Sequence, residues 1–208
     1  MKLLVATRST HKVEEIREIL RDVPGLELLD PDEAGIAESA DEEGLEPFET
    51  FEENALSKAR WFHRRSGLAT VADDSGLEVD ALAGQPGVRS RRFAPLPEGA
   101  PRIVQDHANN RHLLELLEGV DPAGRTARYV CVAAFVDGDG REHSFRGTAE
   151  GVILNHPRGT GGFGYDPLFL VPQLGSTFGE APSETKHALS HRGKAFRALA
   201  ARLRARAG

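Results

Sequence analysis

The apolar positions of this chain change period several times, and each change marks an element. Leu3-Leu4-Val5-Ala6 is a continuous apolar run within residues 2–7, which predicts a short buried strand. Residues 12–20 then carry Val13, Ile16, Ile19 and Leu20 at helical spacing, so the chain opens strand, polar turn, helix. A short strand is expected over 26–29, while residues 31–47 are acidic, poor in large apolar side chains and read as a surface loop. Thr50 followed by Glu53 has the form of a capping box; it starts a helix that runs through 54–65 and stops at Gly67.

The run 68–72 predicts a buried strand ending in Asp73-Asp74-Ser75-Gly76, which puts two carboxylates at a strand end. Residues 84–101, with their Pro, Gly and Arg, predict a long loop able to close over a ligand, and a helical period resumes over 103–117 before Gly119. Strands over 128–136 and 142–149 flank Asp137-Gly138-Asp139-Gly140, residues that tolerate the positive φ of a hairpin turn. Residues 159–172 are glycine-rich and then apolar, and a last helix over 190–206 places Phe196, Leu199 and Leu203 on one face. This mixture of strands and helices implies an α/β fold; no internal repeat is present.

Composition narrows the picture. A length of 208 residues suffices for one medium domain or two closely packed lobes without covalent staples. The single cysteine, Cys131, excludes an intrachain disulfide, and its place in the apolar run 129–135 makes it a small core residue. The N-terminal apolar run is too short for a secretory signal, and no stretch reaches the roughly 20 residues of a bilayer span, so a soluble, cytoplasmic protein is expected. A formal net charge of -6 argues against a broad nucleic-acid surface but allows a compact pocket for one small anion.

Four segments carry candidate chemistry. Thr7-Arg8-Ser9-Thr10-His11-Lys12 offers hydroxyls, backbone N–H groups and cations at a helix start, either an anion site or a capping turn. At Asp73-Asp74, neighbouring side chains of an extended chain point in opposite directions, so one can face a pocket while the other ties down the loop; an Asx-type turn is the other reading. Glu46, Glu49, Glu52, Glu53, Asp73 and Asp74 are the acids available to a hard cation, and the lack of a Cys or His cluster points to magnesium. The glycines of 159–164, with Phe163, Tyr165 and Asp166, suit stacking of a planar base, or else an ordinary turn with core aromatics. Lys186, followed by Ser190-His191-Arg192-Gly193-Lys194, places donors before and at a helix start, or a capped helix with a solvated basic face.

Taken in this order, the segments resemble the inosine triphosphate pyrophosphatase family, the dITP/XTP pyrophosphatases, over nearly the whole chain. The resemblance rests on Ala6-Thr7 with Lys12, on 50–55 with Lys58-Ala59, on 72–77, on Pro86-Gly87-Val88 with Ser90, on 159–167, and on Lys186 with Ser190-His191-Arg192. It implies hydrolysis of ITP, dITP and XTP at the α-phosphate to the monophosphate and pyrophosphate, clearing these nucleotides from the pool, with Mg2+ as cofactor. By the same resemblance Asp74 is metal ligand and proton acceptor for the attacking water, and Glu46, with Glu49 close by, is the partner ligand. Lys12 and Lys58 would hold the triphosphate together with Thr7, Arg8, Ser9, Thr10, His11 and Ser75; Phe163, Gly164, Tyr165, Asp166, Lys186, His191 and Arg192 match the base-binding positions.

Two departures from the family pattern stand out: Ser9 where an Asn is usual, and Glu46-Pro47-Phe48-Glu49 in place of a more glycine-containing run. The implied fold is a long twisted mixed β-sheet with flanking helices, a single domain over 1–208 with two lobes around a central substrate cleft, assembled as a homodimer with neither nucleic acid nor membrane as partner. Two other readings are a pyrophosphatase for modified pyrimidine or standard nucleotides, and a nucleotide-binding regulatory protein without hydrolysis.

Overall fold

Leu3, Leu4 and Val5 are fully buried on both faces of strand β1 (Lys2–Val5), as expected of an inner strand of a parallel pair of ladders. The structure, a computed structural model, describes residues 1–97 and 99–207, so Glu98 of the expected 84–101 loop lies outside the described residues. Helix α1 (Thr10–Leu20) buries Val13, Ile16 and Leu20 and leads to β2 (Glu27–Leu29). A single short 3-10 turn, Ala40–Gly44, interrupts the acidic loop and is capped by Ser39. Helix α2 (Phe51–Ser66) starts at Thr50, whose Oγ1 accepts the Glu53 N–H at 3.2 Å, and stops at Gly67 with φ 66°. The left-handed stop is a conformation that favours glycine.

Strand β3 corrects the expectation of a strand that stops at Ala72. It runs from Ala69 to Val79, straight through Asp73-Asp74-Ser75-Gly76. Asp and Gly are poor strand formers, but the ladder outweighs propensity here because both carboxylates find partners and Leu77 and Val79 resume the buried pattern. A 3-10 turn, Gly87–Arg92, precedes α3 (Arg102–Leu116). Strands β4 (Thr126–Val136) and β5 (Glu142–Ile153) flank the expected tight turn, in which the Gly140 N–H bonds to the Asp137 carbonyl at 2.9 Å. Short strands β6 (Phe169–Val171) and β7 (Ser176–Thr177) and helix α4 (Ser183–Leu189) follow, and α5 (His191–Ala207) ends the described chain.

The sheet is mixed, with order β2-β1-β3-β4-β5-β6-β7. Strand β1 pairs in parallel with β2 and β3, whereas β6 is antiparallel to both β5 and β7. The chain divides into two compact units: Met1–Asp74 with Cys131–Gly147 and the residues from His191 on, and Ser75–Val130 with Thr148–Ser190. The first unit has a core of Leu3, Val5, Ile16, Val71, Cys131, Phe135, Phe196 and Leu199; the second has one of Leu77, Val79, Leu113, Tyr129, Tyr165, Phe169 and Phe178. Cys131 is buried as expected. Among the described residues no helix is long and apolar enough to cross a membrane.

Candidate active site

Strand geometry sends Asp73 and Asp74 to opposite faces of β3, and the two acquire different partners. Asp73 is 1 % exposed. Its Oδ2 accepts from Arg192 Nε at 3.3 Å and Nη2 at 3.2 Å and lies 3.1 Å from Lys12 Nζ. Burial opposes its ionisation, yet Lys12, Arg192 and Lys58 outweigh that and hold its carboxyl well below the usual range. Asp73 thus ties the first turns of α1 and α5 to the sheet. Arg192, 1 % exposed, spends its other end on Glu15, and its charge is held more firmly than usual by Asp73 and Glu15 despite burial. The start of α5 reaches this position because β5 carries Gly147, where a Cβ would fall on the His191 carbonyl and within 2.6 Å of the Ala195 nitrogen.

Asp74, 7 % exposed, faces α2. Its Oδ2 accepts from Asn54 Nδ2 at 3.1 Å, and Asn54 also brackets the Phe48 peptide, donating to its carbonyl at 3.0 Å and accepting from its N–H at 2.8 Å. One buried amide therefore links the Asp74 carboxylate to the segment that carries Glu46. Burial pushes the Asp74 carboxyl up to about 6; Lys58 pulls against that shift and the charge of Glu46 adds to it. Glu46 pairs with Lys58. Burial of Glu46 is outweighed by Lys58, which lowers its pKa, and burial of Lys58 is outweighed by Glu46, Asp73 and Asp74, which raise its own.

The turn before α1 is less self-contained. Thr7 Oγ1 accepts the Ser9 N–H at 3.2 Å, while Ser9, at the N-cap position, makes no side-chain cap to the helix. The helix amides are thus not closed off by the Ser9 hydroxyl, which distinguishes this turn from the capped start of α2. Thr10 and His11 are exposed, and Lys12 is the member of the turn that points at Asp73. Arg8 turns to the acidic loop, donating to Glu42 at 2.8 and 3.1 Å, to Asp32 at 2.5 Å and to the Ile36 carbonyl at 2.9 Å.

In the second unit, Ser75 follows Asp74 on β3 and is half-buried. The loop 162–166 folds around Asp166, whose Oδ2 accepts the Phe163 N–H at 2.9 Å and Lys186 Nζ at 2.8 Å. Gly162 has φ +72°, and a Cβ there would strike the Asp166 carboxylate, so the turn requires glycine. Phe163 lies under two cations, with Lys186 Nζ 4.7 Å and the Arg102 guanidinium 4.8 Å from its ring centroid. Tyr165 is 3 % exposed in the core of this unit and donates its hydroxyl to the Ser90 carbonyl at 2.8 Å, so the partly exposed aromatic of the loop is Phe163.

The candidate residues therefore gather in two groups: Glu46, Lys58, Lys12, Asp74 and Arg192 around β3, and Phe163, Asp166 and Lys186 on and beside the glycine loop. Asn54 and Glu15 were not among the expected site residues. A buried asparagine on the same helix face as Phe51, Ala55 and Phe62 was the available signal for Asn54, since such a group needs a partner. Among the described residues no group of three or more His, Cys, Asp or Glu side chains forms a metal cage. The charge of Glu46 raises the cost of ionising Asp74, and a pair of carboxylates of this kind has the oxygen-donor chemistry of a hard cation site that keeps waters for the rest of its shell.

Over residues 3–202 the chain matches the sequence profile of the Ham1 family, and it belongs to that family. It is 47% identical over 197 residues to the dITP/XTP pyrophosphatase of Desulforamulus reducens, covering 95% of this chain and 92% of that protein. It is 44% identical to the dITP/XTP pyrophosphatase of Thermus thermophilus, covering 96% and 90%. Among solved structures, a HAM1 protein from Coxiella burnetii superposes with a TM-score of 0.83 at 35% identity, covering 98% of each chain. The Ham1 protein of Staphylococcus aureus gives 0.82 at 32% identity, covering 99% and 100%.

Proposed function

We propose that this chain hydrolyses non-standard purine nucleoside triphosphates, ITP, dITP and XTP, to the monophosphate and pyrophosphate. The family membership and the names of its relatives support the reaction. The observation that carries the mechanism is Asp74: a buried carboxylate poised near pH 6, hydrogen-bonded by Asn54, with Lys58 and Glu46 beside it. In its ionised form Asp74 accepts a proton from the water that attacks the α-phosphorus. The bond from that phosphorus to the bridging oxygen breaks, and the electron pair leaves with pyrophosphate. Lys12 and Lys58 offset phosphate charge, with Thr7, Ser9, Thr10, His11 and Ser75 as further contacts, while Arg8 stays on the acidic loop. Glu46 and Asp74 would hold magnesium, which when bound neutralises phosphate charge and orients the nucleophile.

Base recognition falls to Phe163 and Gly164 with Asp166 and Lys186, whereas Tyr165 is held in the core by the Ser90 carbonyl and Arg192 is committed to Asp73 and Glu15. A 6-oxo purine accepts a hydrogen bond that an adenine amino group cannot, so a donor placed for that oxygen is left unpaired by adenine. Such a penalty can exceed about 10⁴-fold. The reading includes a cytoplasmic homodimer, which gel filtration with light scattering checks for its assembly. Its central test is a panel of ITP, dITP, XTP, dATP and dTTP with direct pyrophosphate detection, with and without EDTA. Pyrophosphate from the inosine and xanthosine nucleotides alone, abolished by EDTA, is expected. Release of orthophosphate without an added pyrophosphatase, or equal rates on dATP, would overturn it.

A further inference from the structure

Two side chains of helix α3 grip the glycine loop at Gly164. Asp106 and Asn110 lie one helical turn apart and so share a face. Asp106 Oδ2 accepts the Gly164 N–H at 3.1 Å, and Asn110 Nδ2 donates to the Gly164 carbonyl at 2.9 Å. Gly164 has φ +63°, a backbone state that the loop must adopt between Phe163 and Tyr165. The same helix fastens the neighbouring segment through Asn109, which accepts the Ala94 N–H at 2.8 Å and donates to the carbonyls of Ser90 at 3.2 Å and Arg91 at 3.1 Å. Tyr165 in turn donates to the Ser90 carbonyl. The loop is thereby bounded on three sides: by Asp166 within it, by Ser90 through Tyr165, and by α3 at Gly164.

We propose that Asp106 and Asn110 are positioning residues for substrate specificity: by gripping the N–H and the carbonyl of Gly164, one in each peptide unit flanking it, they fix the plane of Phe163 and the approach of Lys186. This rests on the reading that the loop 163–166 receives the base. Neither residue need touch the nucleotide. An aromatic face and a donor discriminate between bases only if held within a fraction of an ångström, and glycine-rich backbone does not hold itself.

The test uses the full chain and four variants: Asp106→Ala, Asn110→Ala, Asp106→Asn and Phe163→Ala. Steady-state kinetics on ITP are paired with inhibition by inorganic tripolyphosphate, a base-free probe of the phosphate contacts. Asp106→Ala and Asn110→Ala are expected to raise KM for ITP about 10-fold, with kcat within about 3-fold and the tripolyphosphate inhibition constant unchanged. Asp106→Asn keeps an acceptor oxygen and should restore KM to near the parent value. An unchanged KM in both alanine variants, with KM raised in Phe163→Ala, would sink the clamp and leave the base assignment standing. An unchanged KM in Phe163→Ala as well would remove the base assignment and the clamp together. Parallel losses in kcat, KM, tripolyphosphate inhibition and melting temperature would show a merely structural role and also overturn the proposal.

Discussion

The surroundings of β3 and the loop 162–166 both centre on a buried aspartate, and they use it in opposite ways. Around β3, side-chain charges face one another: two aspartates, a glutamate, two lysines and an arginine are arranged so that Asp73 stays ionised well into acid and Asp74 takes up a proton near pH 6. In the loop, one ion pair between Asp166 and Lys186 suffices, and the shape comes from peptide groups gripped by Asp166, Asp106 and Asn110. The first arrangement suits a reaction in which charge moves. The second suits the recognition of a flat, uncharged ring by position.

The contrast makes Asp74 the most sensitive residue of the molecule. Asp74→Asn is expected to lower kcat for ITP by about 10³-fold or more with the fold retained by circular dichroism, since it removes the proton acceptor and a metal ligand together. Retained turnover would remove Asp74 from the chemistry. Asp73→Asn should instead act on stability, costing about 3–5 kcal/mol because Arg192 and Lys12 lose a buried partner. A chain of this size should then melt about 10 °C lower, a shift read directly by calorimetry.

The two aspartates also predict opposite pH behaviour in EDTA. The folded pKa of Asp74 is raised to about 6, so its contribution to stability is full below the unfolded value of 3.8 and is lost as pH rises through 6. Asp74→Asn should therefore gain about 3 kcal/mol relative to the parent between pH 4 and pH 8, a trend that urea titrations at each pH would reveal. Asp73 has a depressed pKa; its contribution is present above the unfolded value and is lost only in stronger acid. The smallest effect belongs to the loop: Phe163→Ala should raise KM for ITP about 10-fold and leave melting little changed. A collapse of kcat in that variant would erase the distinction between the two regions.

Much of the fold was legible from pattern alone. The capped start of α2 at Thr50, the Gly67 stop, the turn between β4 and β5 and the apolar stripe of α5 follow from rules that act within a few residues. The continuation of β3 past Ala72 did not, because Asp-Asp-Ser-Gly is locally a turn sequence and only distant cations make it a strand. Helix α4 and the short strands β6 and β7 were missed for a related reason: two to seven residues are too few to show a period.

The sequence by itself determined the inventory: which acids, cations, hydroxyls and aromatics exist, their order along the chain, and the family they resemble. Only the tertiary structure decided which acid would hold its proton more tightly. Asp73 and Asp74 are chemically identical neighbours, and strand alternation sends one toward Lys12 and Arg192 and the other toward Asn54. A carboxylate's proton affinity is set by burial and by the charges within a few ångströms, and those neighbours come from residues as far along the chain as 192.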